Sequence, residues 1–339
     1  MTKNLRSLVI ILSSFLIINS DLLSQDLHYS QFYNSPINVN PASTGVFNGD
    51  QRFMASVRDQ WRSVPVPWLT FSGSYDQKIY PKGQSKGFFG IGGIFNYDRQ
   101  GDSKLNLTNI NLSGSYTRIL NDNNLVSFGL LVGFSSRGFN LDGLTWDKQW
   151  DNVAFDPSLP SGEAFEFERI SFVETGAGIN YRWQKSSRTK IDLGAAAFHF
   201  LQPKPNFQND DLKLPLRIAF NAVGTFQLSD HLDIQLHALQ QLQNEYKETV
   251  LGGLLKLHLG NAKGGGDTQL HVGAGYRTSE ALFPTFAIQH KNIYVGVSYD
   301  IDMSDFNQVT NNRGGPEVHF RYIINKVKPL SEFKVCPIY

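Results

Sequence analysis

Between Val295 and Ile301 the chain alternates without a break, with Val295, Val297, Tyr299 and Ile301 apolar and Gly296, Ser298 and Asp300 between them. Successive side chains of an extended chain point to opposite faces, so a strand here has one apolar face and one polar face. Glu317 to Ile324 does the same, setting Val318, Phe320, Tyr322 and Ile324 against Glu317, His319, Arg321 and one apolar exception, Ile323. Strands of a soluble sandwich also alternate, but their outward residues meet water and are seldom small polar groups facing charged ones strand after strand. The extent of this pattern therefore decides the fold class.

It extends along most of the chain. Arg52 to Trp61 places Phe53, Ala55, Val57 and Trp61 on one face and Arg52, Ser56, Arg58 and Gln60 on the other, with Asp59 breaking the apolar face near its end. Pro65 and Pro67 make a turn, and Leu69 to Asp76 returns with Leu69, Phe71, Gly73 and Tyr75 against Thr70, Ser72, Ser74 and Asp76. Further strands are expected over Gly87 to Tyr97, Lys104 to Ile119, Leu125 to Phe139, Ile170 to Trp183, Lys190 to Leu201 and Leu214 to Leu228. Six more complete the set: His231 to Leu242, Lys247 to Leu259, Thr268 to Arg277, Leu282 to His290, and the pair that opened the argument. That makes about fourteen strands.

Beyond the first residues no stretch approaches the ~20 apolar residues of a membrane helix. If the chain lies in a membrane, only a closed barrel remains, because lipid cannot satisfy an open sheet edge. Outer-membrane barrels have short periplasmic turns and long outer loops. With a periplasmic N-terminus, the brief turns Asn121 to Asn124, Gln184 to Thr189, Ser229 to Asp230 and Lys291 to Asn292 fall inside, and so does the longer Gly-rich turn Lys263 to Asp267. The long segments Asn140 to Arg169, Gln202 to Lys213 and Asp302 to Gly315 fall outside, with the short Thr278 to Ala281. Trp61, Trp68, Tyr97, Tyr116, Phe139, Trp183 and Tyr299 lie near expected strand ends, where interfacial aromatic girdles sit. The fold class is all-β: a transmembrane antiparallel barrel of about fourteen strands in the outer membrane.

Met1 to Gln25 has the layout of an export signal, with Lys3 and Arg6 before the apolar run Leu8 to Ile18. Cleavage is expected between Ser24 and Gln25. The chain divides into a signal peptide (1–24), an N-terminal segment without strands (25–50), the barrel (51–326) and a tail (327–339). A formal charge of +1 over 339 residues gives no sign of nucleic-acid binding. The single cysteine, Cys336, excludes a disulfide framework within the chain.

Signs of chemistry are weak. Asp142, Asp147, Asp151 and Asp156 share a loop with Trp146 and Trp150, but their spacing does not match a hand-type calcium loop. The histidines are scattered, so His199 and His237 read as polar lumen positions rather than metal ligands. Gly90, Gly92 and Gly93, like Gly176 and Gly178, lack the following helix of a nucleotide loop and read as strand glycines that ease curvature or close packing. The chain is read as a non-enzyme with no cofactor. Arg58, Asp76, Arg277, Asp300 and Arg321 share lumen parity and are expected to pair across the interior, since buried charges need partners. Arginine is expected to be costly at outward Val297 and mild at inward Ser298.

Several short motifs recur in a specific order. SQFYNSPINVNPASTG from Ser30 to Gly45, which contains Gln31, Tyr33, Asn40 and Pro41, resembles the opening of the PorP/SprF family of Bacteroidota outer-membrane proteins of the type IX secretion system. Arg58, Gln60 and Trp61 resemble its Arg-x-Gln-Trp, followed by Ser74-Tyr75-Asp76. His199 and Pro203, Gly275-Tyr276-Arg277, Ser298-Tyr299-Asp300, Glu317 and the tail Cys336-Pro337 follow in family order. The resemblance implies a role in exporting or anchoring large surface proteins that carry a C-terminal sorting domain, including gliding adhesins. It also implies periplasmic lipoprotein or scaffold components as partners, beside outer-membrane lipid. A diffusion or uptake channel and a secreted soluble adhesin are the alternatives. The N-terminal segment is expected at the periplasmic side or inside the lumen.

Overall fold

Fourteen strands form from the alternating segments: β1 (Gln51–Gln60), β2 (Trp68–Ile79), β3 (Gly87–Gln100), β4 (Leu105–Asn121), β5 (Asn124–Gly138), β6 (Arg169–Gln184), β7 (Lys190–Phe198), β8 (Arg217–Gln227), β9 (Leu232–Gln243), β10 (Tyr246–Leu259), β11 (Thr268–Arg277), β12 (Ala281–His290), β13 (Ile293–Asp302) and β14 (Arg313–Ile324). The computed structural model describes residues 26–325, apart from residues 63, 65–66, 82–85, 102, 141–143, 152, 163–166, 206, 208–212 and 261–266. The export signal with its cleavage site, the tail with Cys336, Pro65, Asp142 and most of the turn at 263–267 lie outside the described residues.

Every strand pairs antiparallel with its neighbours in sequence, and β14 returns to β1 with Val57 opposite Val318 and Arg58 opposite Glu317, so the sheet closes on itself. Closure leaves no unpaired edge, which is what hydrocarbon demands. The side chains are arranged inside out compared with a soluble protein. Val297 and Val318 are 44% and 42% exposed on the outer face, whereas Ser298 and Glu317 beside them are 2% and 0% exposed. Leu112, Leu130 and Phe134 are exposed outward in the same way. Apolar residues outside and polar residues inside make a membrane barrel. Among the described residues no helix is long and apolar enough to cross a membrane.

The connections β5–β6, β7–β8 and β13–β14, which contain the three long segments, all leave from one end. The other end has tight turns such as 122–123 and 291–292. The loop rule makes the first end extracellular and the second periplasmic. At the outer rim Trp61, just past β1, lies 5.1 Å from Trp68 and 5.6 Å from Phe306, ring centre to ring centre.

The N-terminal segment lies in the lumen as three short helical turns, Phe32–Asn34, Pro36–Val39 and Pro41–Ser43. Proline opens the second and third turns, where its missing N–H costs nothing. The Asn40 side chain caps the third by accepting from the Ala42 N–H at 2.9 Å. Two apolar clusters anchor the segment to inward-facing residues of the wall. Phe32 and Val39 join Leu239, Val250 and Phe283, and Ile37 joins Ile94, Leu131, Ala196 and Phe198.

Candidate functional site

The polar lumen is organised around this segment. In the outer half, Arg58 of β1 and Arg277 of β11 converge on Asp300 of β13, with Nη–Oδ2 distances of 2.6 and 3.4 Å. The Arg277 Nε also lies 3.1 Å from Glu248 of β10. Glu317 of β14 accepts the backbone N–H groups of Ser30 and Gln31 at 2.8 and 2.7 Å, one on each oxygen. His319 bridges Glu317 at 2.6 Å and Ser56 at 2.7 Å. Ser30 closes the network: its Oγ donates to Asp300 at 2.7 Å and accepts from Arg277 at 2.5 Å. Arg58 donates to the His28 carbonyl at 3.1 Å. Burial, together with Arg58 and Arg277, pushes the His28 pKa well below its usual range, so that ring is neutral.

Alternation explains why these groups meet. Each occupies an inward position near the outer end of its strand, and the β13–β14 register shifts between Asp300 and Ile301 beside them, a bulge of the kind that re-aims side chains. Buried ion pairs of this sort are poor evidence of net stability, because desolvation offsets their attraction. Their value lies in geometry. The Glu317 and Asp300 oxygens are filled by Ser30, Gln31 and the arginines, which sets the register of the segment against the wall.

A second cluster fixes the start of the segment. Asp26 lies 2.6 Å from the His199 Nε2 and 3.2 Å from the Arg217 Nε, while the His199 Nδ1 lies 2.8 Å from Glu174. Burial alone would lower the His199 pKa, but the two carboxylates raise it to about 9, which makes the ring a cation at neutral pH with both nitrogens donating. Midway down, the Asn40 Nδ2 donates to the Ile179 carbonyl at 2.9 Å. The wall makes room for it with glycine: a Cβ on Gly178 would lie 2.1 Å from the Asn40 Oδ1, and one on Gly129 would lie 2.3 Å from the Ala42 N. At the periplasmic end Asp76 pairs with Arg52 at 2.7 Å and accepts the Gly45 N–H at 2.7 Å. Residue 26 therefore lies in the outer half of the lumen, and the chain descends to β1 at the periplasmic rim.

The residues singled out in the sequence fall into three groups. Gln31, Arg58, Arg277, Asp300 and Glu317 come together in the outer network, and Asp76 joins Arg52 lower down. Asn40 and Pro41 form the capped turn, Tyr33 packs against His237 at 4.7 Å between ring centres, and Gln60 is buried at the outer end of β1. Tyr276 and Tyr299 point to the lipid face, and Tyr75 packs there against Phe53 at 4.6 Å between ring centres, so in each triplet the tyrosine faces away from its charged neighbour. Trp61 belongs to the outer rim. The expected pairing of Arg321 is corrected: among the described residues it has no carboxylate partner, and instead covers the Tyr294 ring at 4.5 Å and donates to Gln289 at 3.1 Å. The groups around it are Tyr294, Gln289, Tyr33 and Arg52, so among the described residues no carboxylate faces it. Sequence reasoning missed Asp26, Ser30 and Glu248 as members of the site, although the inward parity of Glu248 was there to be used.

A family model described as type IX secretion system membrane protein PorP/SprF matches residues 22–322, which spans the lumen segment and nearly all of the barrel. The chain belongs to the PorP/SprF family. This PorP/SprF protein is an outer-membrane barrel of the type IX secretion system. No curated protein matches it in sequence. Among solved structures it is similar in fold to the Ralstonia pickettii toluene transporter TbuX, with a TM-score of 0.50 and 11% identity over 86% of this chain and 94% of that one. A Pseudomonas aeruginosa FadL homologue gives a TM-score of 0.49 at 11% identity over 84% and 92% of the two chains.

Proposed function

We propose that this barrel holds or passes large secreted surface proteins, of the gliding or adhesin type, through their C-terminal sorting domain, and that it does so without enzymatic chemistry. Periplasmic lipoprotein or scaffold components of the secretion system are its further partners. The observation that carries the reading is the filling of the lumen by the chain's own residues 26–50, seated on buried charges from β1, β10, β11, β13 and β14. A barrel plugged along its length by a segment fixed in register suits docking better than free diffusion. Deletion of the gene is expected to remove one large adhesin, or a small set, from the cell surface while general outer-membrane permeability stays largely intact. Surface proteomics and a small-solute uptake assay measure the two effects. Retained display together with failed uptake would replace this reading with an uptake channel.

Export itself is open to direct measurement. Cleavage between Ser24 and Gln25 fits the seating of Asp26, two ion contacts deep in the outer half of the lumen, where an uncleaved apolar leader would have to be threaded through the barrel. N-terminal sequencing of the membrane-purified protein, with allowance for cyclised glutamine, is expected to begin at residue 25. A chain still beginning at Met1 would end the export argument.

A further inference from the structure

Beside the plug in the periplasmic half lies a cavity of about 380 Å³ bounded by the N-terminal segment on one side and by β1, β6 to β12 and β14 on the other. This volume falls in the range of small-ligand sites. Its cations are not balanced. Arg52, Arg182 and Arg188 are paired with Asp76, Asp192 and Asp233, and Asp233 also takes His258. Lys190 and Lys256 have no carboxylate within ion-pair distance among the described residues, and Arg321 has only Gln289 and the Tyr294 face. These three lie near enough to one another to repel, and the carboxylates that act on the lysines, Asp192 on Lys190 and Asp233 on Lys256, are already paired with Arg182 and Arg188. Two amide donors on the same wall, the Asn180 Nδ2 and the Gln235 Nε2, are also without partners, in side chains only 2% and 7% exposed.

An excess of positive charge and idle donors around one cavity calls for an anion. The opposite wall narrows its chemistry. Phe32, Pro36, Val39, Val46 and Phe47 of the plug give that side an apolar surface, and Val223 and Ile323 add apolar area on the strand wall. A bare phosphate is hydrated all round and would lose water against this wall without compensation. A carboxylate with an apolar body satisfies both sides at once. We propose that the periplasmic cavity binds a small amphipathic carboxylate, its charge toward Lys190, Lys256 and Arg321 and its apolar part against the plug. A peptide's C-terminal residue and a short organic acid share this chemistry. The proposal does not depend on the reading of cargo export.

The test uses the full-length mature barrel in detergent and isothermal titration with four probes: N-acetylphenylalanine, its amide, hexanoate and inorganic phosphate. N-acetylphenylalanine or hexanoate is expected to bind, more weakly as salt rises, while the amide does not. The double variant Lys190→Gln/Lys256→Gln is expected to lose about tenfold or more in affinity, which is ~1.4 kcal/mol. Lys190→Arg/Lys256→Arg, which keeps the charge, retains binding, and heat-dependent gel mobility verifies that both variants fold. Binding of N-acetylphenylalanine alone assigns the site to a peptide end, and binding of hexanoate alone assigns it to an organic acid. The proposal is overturned if no probe binds, if the amide binds as well as the acid, if phosphate binds most tightly, or if the glutamine variant keeps full affinity.

Discussion

Glu317→Leu is expected to unseat the lumen plug while leaving the barrel wall closed. Glu317 is fully buried and accepts two backbone N–H groups of the segment, from Ser30 and Gln31, besides holding His319. Leucine of similar volume removes every one of these acceptors. Hydrogen bonds to a charged group are worth roughly 1.5–3 kcal/mol each, and breaking a buried ion network from one side costs about 3–5 kcal/mol. The loss falls on the plug rather than on the strands, because the backbone ladder from β14 to β1 and β13 does not involve the carboxylate. Increased single-channel conductance and new proteolytic cuts within residues 26–50 are the expected signs, with heat-modifiable mobility retained. Glu317→Gln keeps the shape and one acceptor oxygen, so its effect is smaller. If Glu317→Leu conducts no more than the natural protein, the apolar anchors Phe32 and Ile37 hold the plug by themselves and the network is dispensable for seating.

The barrel was readable in the sequence because its faces are inverted: in β1, β13 and β14 polar residues recur at alternate positions, from Arg58 through Asp300 to Arg321, and need a polar interior. Strand ends were less readable. β2 continues to Ile79 because Lys78 still points inward, where its Nζ reaches the Phe47 carbonyl at 2.5 Å, and β7 stops at Phe198 because His199 turns away with a positive φ to meet Asp26 and Glu174. Parity correctly put Arg58, Arg277 and Asp300 in the lumen but could not say who pairs with whom. Strand pairing settles only the nearest neighbours, and Arg277 reaches Ser30, a residue 247 positions away in the chain. The segment from Asp26 to Asp50 has no period at all, so nothing local revealed that its backbone amides, rather than side chains across the lumen, would take up the oxygens of Glu317. Arg321 shows the same limit from the other side: an inward cation was legible, its lack of a carboxylate partner was not.

The occupied lumen also changes what an inserted arginine should do. Val297 lies mid-strand on the outer face, opposite Phe286 and Val318, and is 44% exposed to the surroundings. Val297→Arg is expected to cost about 2–4 kcal/mol, the penalty for a guanidinium near the bilayer midplane. Ile293, the first residue of β13 and 45% exposed on the same face, sits at the periplasmic boundary, where Ile293→Arg should cost about 0–1 kcal/mol because the side chain reaches the headgroups. The inward neighbour Ser298 is not the mild site that an open lumen would make it, since it is 2% exposed and accepts the Gln31 Nε2 at 2.9 Å. Ser298→Arg would drive a long side chain into the plug and should be as damaging as Val297→Arg, but for a different reason. Truncating the protein to begin at β1 separates the two causes: removal of residues 26–50 is expected to relieve Ser298→Arg and leave Val297→Arg unchanged. Heat-dependent gel mobility after outer-membrane assembly reads all of these variants. Equal tolerance of arginine at Val297 and Ile293 would mean that the outer face does not meet hydrocarbon, and no relief of Ser298→Arg on truncation would mean that the segment does not fill the lumen at that level.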